Sequence, residues 1–359
     1  MKIKIRFLVF LLLFSIMLFP AATASAEEAS VLTCHFPDVG QGLAVLLECD
    51  GHFALYDGGG PESSQFVVSY LKDAGVEQLD LVIASHYDLD HVSGLVGVLH
   101  VFPTLEVWGP DYVINTNIYD SLMREADELG YSFFHPAQNE TRSLGSAELK
   151  VLSDGLYHEK ENDRSIVLQA SLNDSSLLLT GDLTWDGEQE LIDQGIDLRS
   201  DILVLGHHGS SSSTSWSFLA AVSPSSVVVS CGKDNDFGHP SSRTMERVQD
   251  FGSALFRTDL QGTVTASFLP DGKILWNTAQ CDDYSGRNWD PDALSAEKTE
   301  GSEEPSADVT YILNGSSFRF HRPDCEMAAQ ISAKNRVEFT GTRDEAIALG
   351  YDPCGVCRP

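Results

Sequence analysis

Basic residues are few. Twenty-three lysines and arginines stand against 53 aspartates and glutamates, a formal charge of −30 at pH 7. Such acidity keeps a chain soluble and repels polyanions at long range, which argues against a nucleic-acid coat protein. It does not exclude an enzyme that meets phosphates through bound cations, because those ions reverse the local field. Long apolar runs are missing after Phe19. No later segment approaches the roughly 20 apolar residues that crossing a bilayer takes. Internal repeats are missing too, which excludes a solenoid. Seven cysteines, an odd number, occur in a chain too large to need disulfides for folding. Cys34, Cys49 and Cys231 lie in apolar strand-like runs and read as buried thiols, with nothing to support a Cys34–Cys49 bridge. Cys281 stands at a boundary with no assigned role, and Cys325, Cys354 and Cys357 form a separate group.

What is present begins with a leader. Lys2, Lys4 and Arg6 precede an apolar stretch over 7–19, followed by Ala24-Ser25-Ala26. A basic head, a short apolar middle and small residues are the layout of a secretory signal, here residues 1–26. An uncleaved anchor is the other reading, and the shortness of the apolar stretch favours cleavage after Ala26. The expected product is secreted or held outside the membrane of a bacterium.

Short apolar runs then alternate with polar turns. Residues 31–36, 43–49 and 52–56 read as strands, the third ending at Asp57 with three glycines. Phe66, Val67, Tyr70 and Leu71 fall on one face of a helix over 63–75, and a second helix is expected over 117–131. Residues 79–84 form a strand that runs into His86, Asp88, Asp90 and His91, and 92–102 suits a helix. Two strands flank Asn173-Asp174, and a hairpin over 262–276 turns at Pro270-Asp271-Gly272. Strands mixed with helices, with ligand-type loops at strand ends, indicate a layered α/β domain over 30–277 whose site lies along one sheet edge. Residues 282–308, acidic and without apolar periodicity, read as a disordered linker, and 309–359 as a small terminal module.

The loop ends present His86, Asp88, Asp90 and His91, then Asp182, then His207 and His208, then His239. One surface histidine or aspartate means nothing, but a set of strands each ending in such residues needs a cation to explain it. The spacing aims His86 and Asp88 one way and Asp90 and His91 at an adjacent point, with Asp182 as a bridge. Two divalent ions so held can activate a water and stabilise a leaving oxygen. Imidazole with carboxylate accepts zinc, and each added oxygen ligand favours manganese or magnesium.

His-x-Asp-x-Asp-His at 86–91, Thr-Gly-Asp at 180–182 and His-His-Gly-Ser at 207–210 resemble the metallo-β-lactamase superfamily. Asp-Val-Gly-Gln-Gly at 38–42, the 162–168 segment and Phe-Gly-His-Pro at 237–240 narrow the resemblance to the ComEC-type hydrolase domain of bacterial DNA-uptake proteins. It covers about 30–277. It implies a four-layer αββα sandwich and a hydrolase of nucleic-acid phosphodiesters. It also implies His86 and Asp88 in a first metal site, Asp90 and His91 in a second, Asp182 bridging and His207 completing the second. Asp57 would orient a ligand histidine. His208 and Ser210 would support the site, and His239 would protonate the leaving group or hold the phosphate. Asp90, Asp182 and His239 are thus the candidate catalytic residues. The superfamily more often has histidine where Asp88 stands. Its separate histidine before Asp182 has no motif match, since His100, His135 and His158 lack context; Asn162 and Asp163 occupy that region. The serines over 210–213 read as a cap for the following helix rather than as nucleophiles, which would need a base and an oxyanion hole.

In the tail, His321-x-x-x-Cys325 and Cys354-x-x-Cys357 offer one imidazole and three thiols. Structural zinc and disulfides are the two readings, and the short spacings favour zinc. The segment resembles the small metal-binding module of the Ada type, its partner unknown. The functions in competition are an exported phosphodiesterase acting on DNA or RNA, a hydrolase of the same fold acting on a cell-wall phosphodiester or lactone, and a non-catalytic metal-binding surface protein.

Overall fold

The computed structural model describes residues 29–155, 160–287, 309–314, 319–341, 351–354 and 357. The leader and His158 lie outside these, as does 288–308 of the expected linker. Among the described residues no helix is long and apolar enough to cross a membrane.

The first sheet contains β1 (Leu32–Phe36), β2 (Val45–Cys49), β3 (His52–Tyr56), β4 (Leu79–Ile83), β5 (Thr104–Trp108) and β6 (Phe133–Phe134). The second is built from β7 (Thr141–Leu144), β8 (Ala147–Ser153), β9 (Val167–Leu172), β10 (Ser175–Leu179), β11 (Ile202–Val204), β12 (Ser226–Val229) and β13 (Ala254–Arg257). The chain then returns to the first sheet with the hairpin of β14 (Val264–Phe268) and β15 (Ile274–Trp276). The orders are β15-β14-β1-β2-β3-β4-β5-β6 and β13-β12-β11-β10-β9-β8-β7. Period-two alternation divides the strands between layers. Leu47, Leu81, Ile83, Val151, Leu168, Leu177 and Ile202 meet between the sheets. Leu46, Leu55, Leu79 and Val82 point outward to α1 (Ser64–Asp73), α2 (Leu89–Val101) and α3 (Asn117–Leu129). On the other side Leu178, Leu203, Val227 and Val229 pack under α4 (Trp185–Asp193), α5 (Trp216–Val222) and α6 (Ser242–Phe251). Three apolar layers between four structural ones make the expected αββα sandwich. At about 1.5–3 kcal/mol for each fully buried Leu, Val or Ile, they are the main stabilising term. Cys34, Cys49 and Cys231 are buried free thiols in these layers.

Three boundaries differ from expectation. Helix α2 starts inside the 86–91 motif, with Asp88 as its N-cap and His91 N–H donating to Asp88 O at 3.1 Å. The cap of α5 is Ser215, whose hydroxyl accepts from Phe218 N, while Ser213 Oγ donates elsewhere, to Leu183 O. Residues 282–287, expected in the linker, are bound to the sandwich. Cys281 N donates to Leu255 O, and Arg257 donates to the carbonyls of Asp283 (3.1 Å) and Ser285 (2.6 Å). Arg257 is itself buried on the Asp259 carboxylate through a fork of 3.0 and 2.8 Å, just before α7 (Thr258–Gln261).

The described residues from Val309 onward form a second compact unit. Its strands β16 (Val309–Asn314), β17 (Arg319–His321), β18 (Arg336–Gly341) and β19 (Asp352–Pro353) pair in the order β18-β16-β17-β19, and α8 (Glu326–Ala329) adds one turn. Tyr311, Leu313 and Phe320 pack together, and Ile312, Cys325, Ala328 and Cys354 form a second cluster. Small cores of this kind lean on a metal or crosslink.

Removing one partner of a buried ion pair leaves an uncompensated charge. Arg257→Ala is therefore expected to lower unfolding stability in urea by about 3–5 kcal/mol. A loss below about 1 kcal/mol would show that the Asp259 pair and the anchored segment contribute little.

Candidate metal centre

Parallel strands run the same way in each sheet, β3 with β4 in the first and β10 through to the edge strand β13 in the second. Their C-terminal ends carry the polar residues. Asp57 follows β3, Ser85 and His86 follow β4, Asp182 follows β10, His207 and His208 follow β11, and Ser230 follows β12.

Asp57 is fully buried and sits at left-handed φ of 58°. Its Oδ1 accepts from Ser85 N at 2.7 Å, and its Oδ2 from both Ser85 Oγ and His91 Nδ1 at 2.7 Å. Since Ser85 spends its proton on Asp57, it accepts from His86 Nδ1 at 2.9 Å. His208 Nδ1 donates to Ser230 O at 3.0 Å. All three imidazoles are thereby protonated at Nδ1 and turn Nε2 toward one point, the second-atom control that metal-binding histidines generally show.

At that point donors crowd without satisfying one another. His91 Nε2 lies 3.2 Å from His208 Nε2 and 3.1 Å from Asp182 Oδ1, and His208 Nε2 is 3.2 Å from Asp90 Oδ2. His86 Nε2 is 3.5 Å from Asp88 Oδ2 and 4.0 Å from Asp182 Oδ2. His86 Nε2 and Asp182 Oδ1 are buried without a hydrogen bond, which costs roughly 1–3 kcal/mol for each group unless something else binds it. Two sets of donors lie within 4.8 Å of one another: His86, His91 and Asp182, and Asp90, His91 and His208.

Electrostatics points the same way. Burial opposes a charge on Asp182, yet His91, His208 and His207 outweigh it and hold the carboxyl well below the usual range. Burial likewise opposes a charge on His91, but Asp182 and Asp57 raise it well above an ordinary imidazole. His208 is raised by Asp182 and Asp90 against the same burial. Protons on His91 and His208 would then share a 3.2 Å gap between two nitrogens, which both cannot occupy. A divalent cation resolves the conflict: it replaces the protons, uses the orphaned atoms and neutralises the carboxylates. The residues fit such an ion.

The placement of the expected residues is specific. His86, His91, Asp90 and Asp182 converge, and Asp88 borders them from the helix cap. His208, expected to support, is the histidine that reaches Asp90 and His91. His207 sits instead 3.6 Å from Asp182 Oδ2, its Nδ1 3.4 Å from Asn162 Nδ2. Both residues adopt left-handed φ, 50° and 55°, at a cost of about 1–3 kcal/mol each that a functional site commonly carries. Asp163 is turned away and saturated by Thr184, through its N–H and its hydroxyl. His100 pairs with Glu125 and His135 donates to Gly109 O, both far from the cluster in bonding terms. Ser165 was missed by the motif reading. Its hydroxyl accepts from Asp182 N at 3.1 Å, donates to Asn162 O at 2.7 Å and stands 3.5 Å from His86 Nδ1. Glu161 was missed as well; burial and then Asp88 raise its carboxyl.

Two outer motifs meet at the rim. Gln41 Nε2 lies 3.4 Å from His239 Nδ1, and Gln41 Oε1 accepts from Gly232 N. Gly42 has φ of 135°, and a Cβ there would fall 2.3 Å from Asp90 O, so only glycine lets this loop lie against the motif helix. His239 is 5.4 Å from the His207 ring centre. Burial, then His208 and His207, lower its pKa to about 3, so it stands neutral at pH 7. A cleft of about 360 Å³ opens beside Asp88 and Asp90, lined also by Tyr87, Leu89, Thr116 and Ile118.

The second unit holds its own cluster. One donor atom each from His321, Cys325, Cys354 and Cys357 lies within 4.8 Å of the others, and Cys325 Sγ is 3.7 Å from His321 Nδ1. That spacing suits a tetrahedral ion with metal–sulfur bonds of about 2.3 Å. Without a cation, burial and the neighbouring thiols push Cys357 up to about 11, although Arg322 N–H donates to its sulfur. All three cysteines are unbridged.

Comparison with known proteins places this geometry. The competence protein ComA of Neisseria gonorrhoeae is 35% identical over 231 residues, 63% of this chain and 31% of that protein. Recombination protein 2 of Haemophilus influenzae is 30% identical over 278 residues, 75% of this chain and 32% of that protein. The chain thus spans about a third of the length of these relatives. Among solved structures, the metallo-beta-lactamase fold protein YhfI from Bacillus subtilis aligns with a TM-score of 0.45 and 13% identity, over 68% of this chain and 100% of that one. Residues 37–233, more than half of the sequence, match the metallo-beta-lactamase superfamily model, and the chain belongs to that superfamily.

Proposed function

We propose that this protein is an exported, metal-dependent phosphodiesterase acting on nucleic acid. The observation that carries the proposal is the convergence of His91, His208, Asp90 and Asp182, with His86 Nε2 and Asp182 Oδ1 left without partners. His86, Asp88, Asp90, His91, Asp182 and His208 would hold one or two divalent ions, manganese or zinc, with His207 beside Asp182. Ions in that place supply Lewis acidity and a nucleophilic water at neutral pH. The chain's own residues do the rest. Asp57 and Ser85 fix the ring orientations of His91 and His86, and Ser230 fixes His208. The cleft beside Asp88 and Asp90 gives the substrate a place to lie against the cluster. His239, at the rim, is placed to hydrogen-bond a phosphate oxygen or the leaving group.

Support for nucleic acid as substrate comes from the meeting of the 38–42 and 237–240 motifs through Gln41 and His239. The names of two relatives, a competence protein and a recombination protein, agree with it. The charge of −30 favours the second reading, a smaller phosphodiester or another ester, since a long polyanion is repelled at a distance. In the second unit, the Ada-like module would carry structural zinc on His321, Cys325, Cys354 and Cys357.

The test is hydrolysis of single- and double-stranded DNA, RNA and bis-p-nitrophenyl phosphate with manganese, magnesium or zinc. Cleavage of nucleic acid is expected, reduced by about a hundredfold or more in Asp90→Ala and His91→Ala. Cleavage of the small diester alone would transfer the proposal to another phosphoester, and metal binding without any hydrolysis would contradict it. Asp57→Asn, which weakens the hold on His91, is expected to lower metal affinity by about 10–100-fold in titration calorimetry. Unchanged affinity would remove Asp57 from the account. Finally, Cys354→Ser combined with Cys357→Ser is expected to lose one zinc by elemental analysis while the hydrolase site keeps its ions. Retention of that zinc, or intact disulfides by mass spectrometry, would contradict the tail assignment.

A further inference from the structure

The loop between β12 and α6 carries His239 to the cluster, and it has no strand pairing of its own. Asn235 organises it from within. Its Nδ2 donates to Gly232 O (2.7 Å) and His239 O (2.6 Å), and its Oδ1 accepts from Phe237 N (3.1 Å) and His239 N (3.0 Å). The side-chain amide is thus fully used in closing the turn around His239, and beyond Ser241 N on Gly209 O and Gly232 N on Gln41 Oε1 the loop has a further anchor.

That anchor comes from 281–287. Arg287 N donates to Pro240 O at 2.8 Å, and Arg287 O accepts from Ser242 N at 3.1 Å, a one-residue parallel bridge beside His239. The guanidinium reaches the other side of the loop, donating to Asn235 O and Asp234 Oδ1, each at 3.3 Å. One residue therefore holds both arms of the turn. Gly286 permits the approach, since a Cβ there would fall 2.3 Å from Ser242 Cα. The far end is fixed to the sandwich by Cys281 N on Leu255 O, by Tyr284 OH on Ser253 O (3.0 Å) and by the buried Arg257 on Asp283 and Ser285.

We propose that residues 281–287 are a strap that sets the position of His239 at the metal cluster, with Arg287 as its positioning residue. The proposal rests on the reading of His239 as part of the reactive site. The contact with Asp234 is an exposed pair that contributes little by itself. The information lies in the grip on Pro240, Ser242 and the Asn235 carbonyl. Catalytic placement is sensitive to shifts of this kind, where about 1 Å can cost a hundredfold in rate.

The experiment uses the full chain as wild type, Arg287→Ala, Arg287→Lys, His239→Ala and the Arg287→Ala/His239→Ala double variant. Amide exchange over 232–241 is expected to quicken by about tenfold in a further variant, Gly286→Ala, whose Cβ would meet Ser242 Cα and part the main-chain bridge, and by less in Arg287→Ala, with 202–210 unchanged. With manganese and the substrate that wild type cleaves, kcat is expected to fall by about tenfold at unchanged KM, and Arg287→Lys to fall less. In the His239→Ala background, Arg287→Ala is expected to cost nothing further. Unchanged exchange in both Gly286→Ala and Arg287→Ala overturns the strap. Equal losses of kcat in both backgrounds overturn its action through His239, and so does full activity of His239→Ala. A wild type inactive on every diester overturns the phosphodiesterase reading instead, and the exchange comparison still decides whether the strap holds the loop.

Discussion

A buried negative charge with too few protons to share governs this structure. Asp57 and Asp182 sit inside the fold at the joined ends of two sheets, where an ionised carboxylate is costly unless paired. Asp57 is satisfied by Ser85 and His91. Asp182 is not: its Oδ1 faces the Nε2 atoms of His91 and His208, which themselves meet nitrogen to nitrogen. Everything near the cluster follows from that imbalance. Strands end there because parallel ladders bring their C-terminal ends to one edge. The backbone turns left-handed at Asp57, His207 and His208 to present side chains inward, and Gly42 lets the 38–42 loop close over Asp90. A fold that tolerates this strain without a cation would have no reason to keep it.

Much of the sandwich was legible from periodicity. The strand pair around Asn173, the helix after residue 116 and the hairpin at Pro270 stand where apolar spacing and turn residues place them. The ligand types at 86–91 and 182 were legible because such residues rarely end several strands in succession. What was not legible depended on backbone dihedrals. His207 and His208 are adjacent and chemically alike, so sequence cannot tell which enters the cluster. In the structure the paired left-handed residues turn His208 onto Ser230 and Asp90 and leave His207 3.6 Å from Asp182. Ser85 and Ser165 escaped notice because a serine before a histidine has many ordinary explanations; their roles appear only where their hydroxyls touch His86 and Asp182. The start of the expected linker was misplaced for a different reason. Composition reports that 282–287 is polar, but it cannot report the carbonyls of that segment that Arg257 takes up.

The two metal-binding groups divide the work by chemistry. The sandwich uses imidazole and carboxylate, ligands that leave a bound ion acidic and open to exchange, beside a cleft. The small unit brings together three thiols and one imidazole, a set suited to a closed tetrahedral site. The overall acidity agrees with this division. With a charge of −30, the chain has little general attraction for polyanions, and under the proposed function recognition of a phosphate would fall to bound ions and to the few groups at the rim, Gln41 and His239 among them. At the rim stands His239, whose loop meets two residues far along the chain, Gln41 and Arg287.

The most direct measurement of the central claim is anomalous diffraction at the manganese edge from crystals of the protein grown with manganese. The account predicts a peak within bonding distance of His91 Nε2, His208 Nε2, Asp90 and Asp182, with His86 bordering it or a second peak. A peak at His207 with His208 left out would contradict the assignment of ligands. Full occupancy elsewhere, with this cluster vacant, would contradict the claim that the buried carboxylates are there to hold a cation.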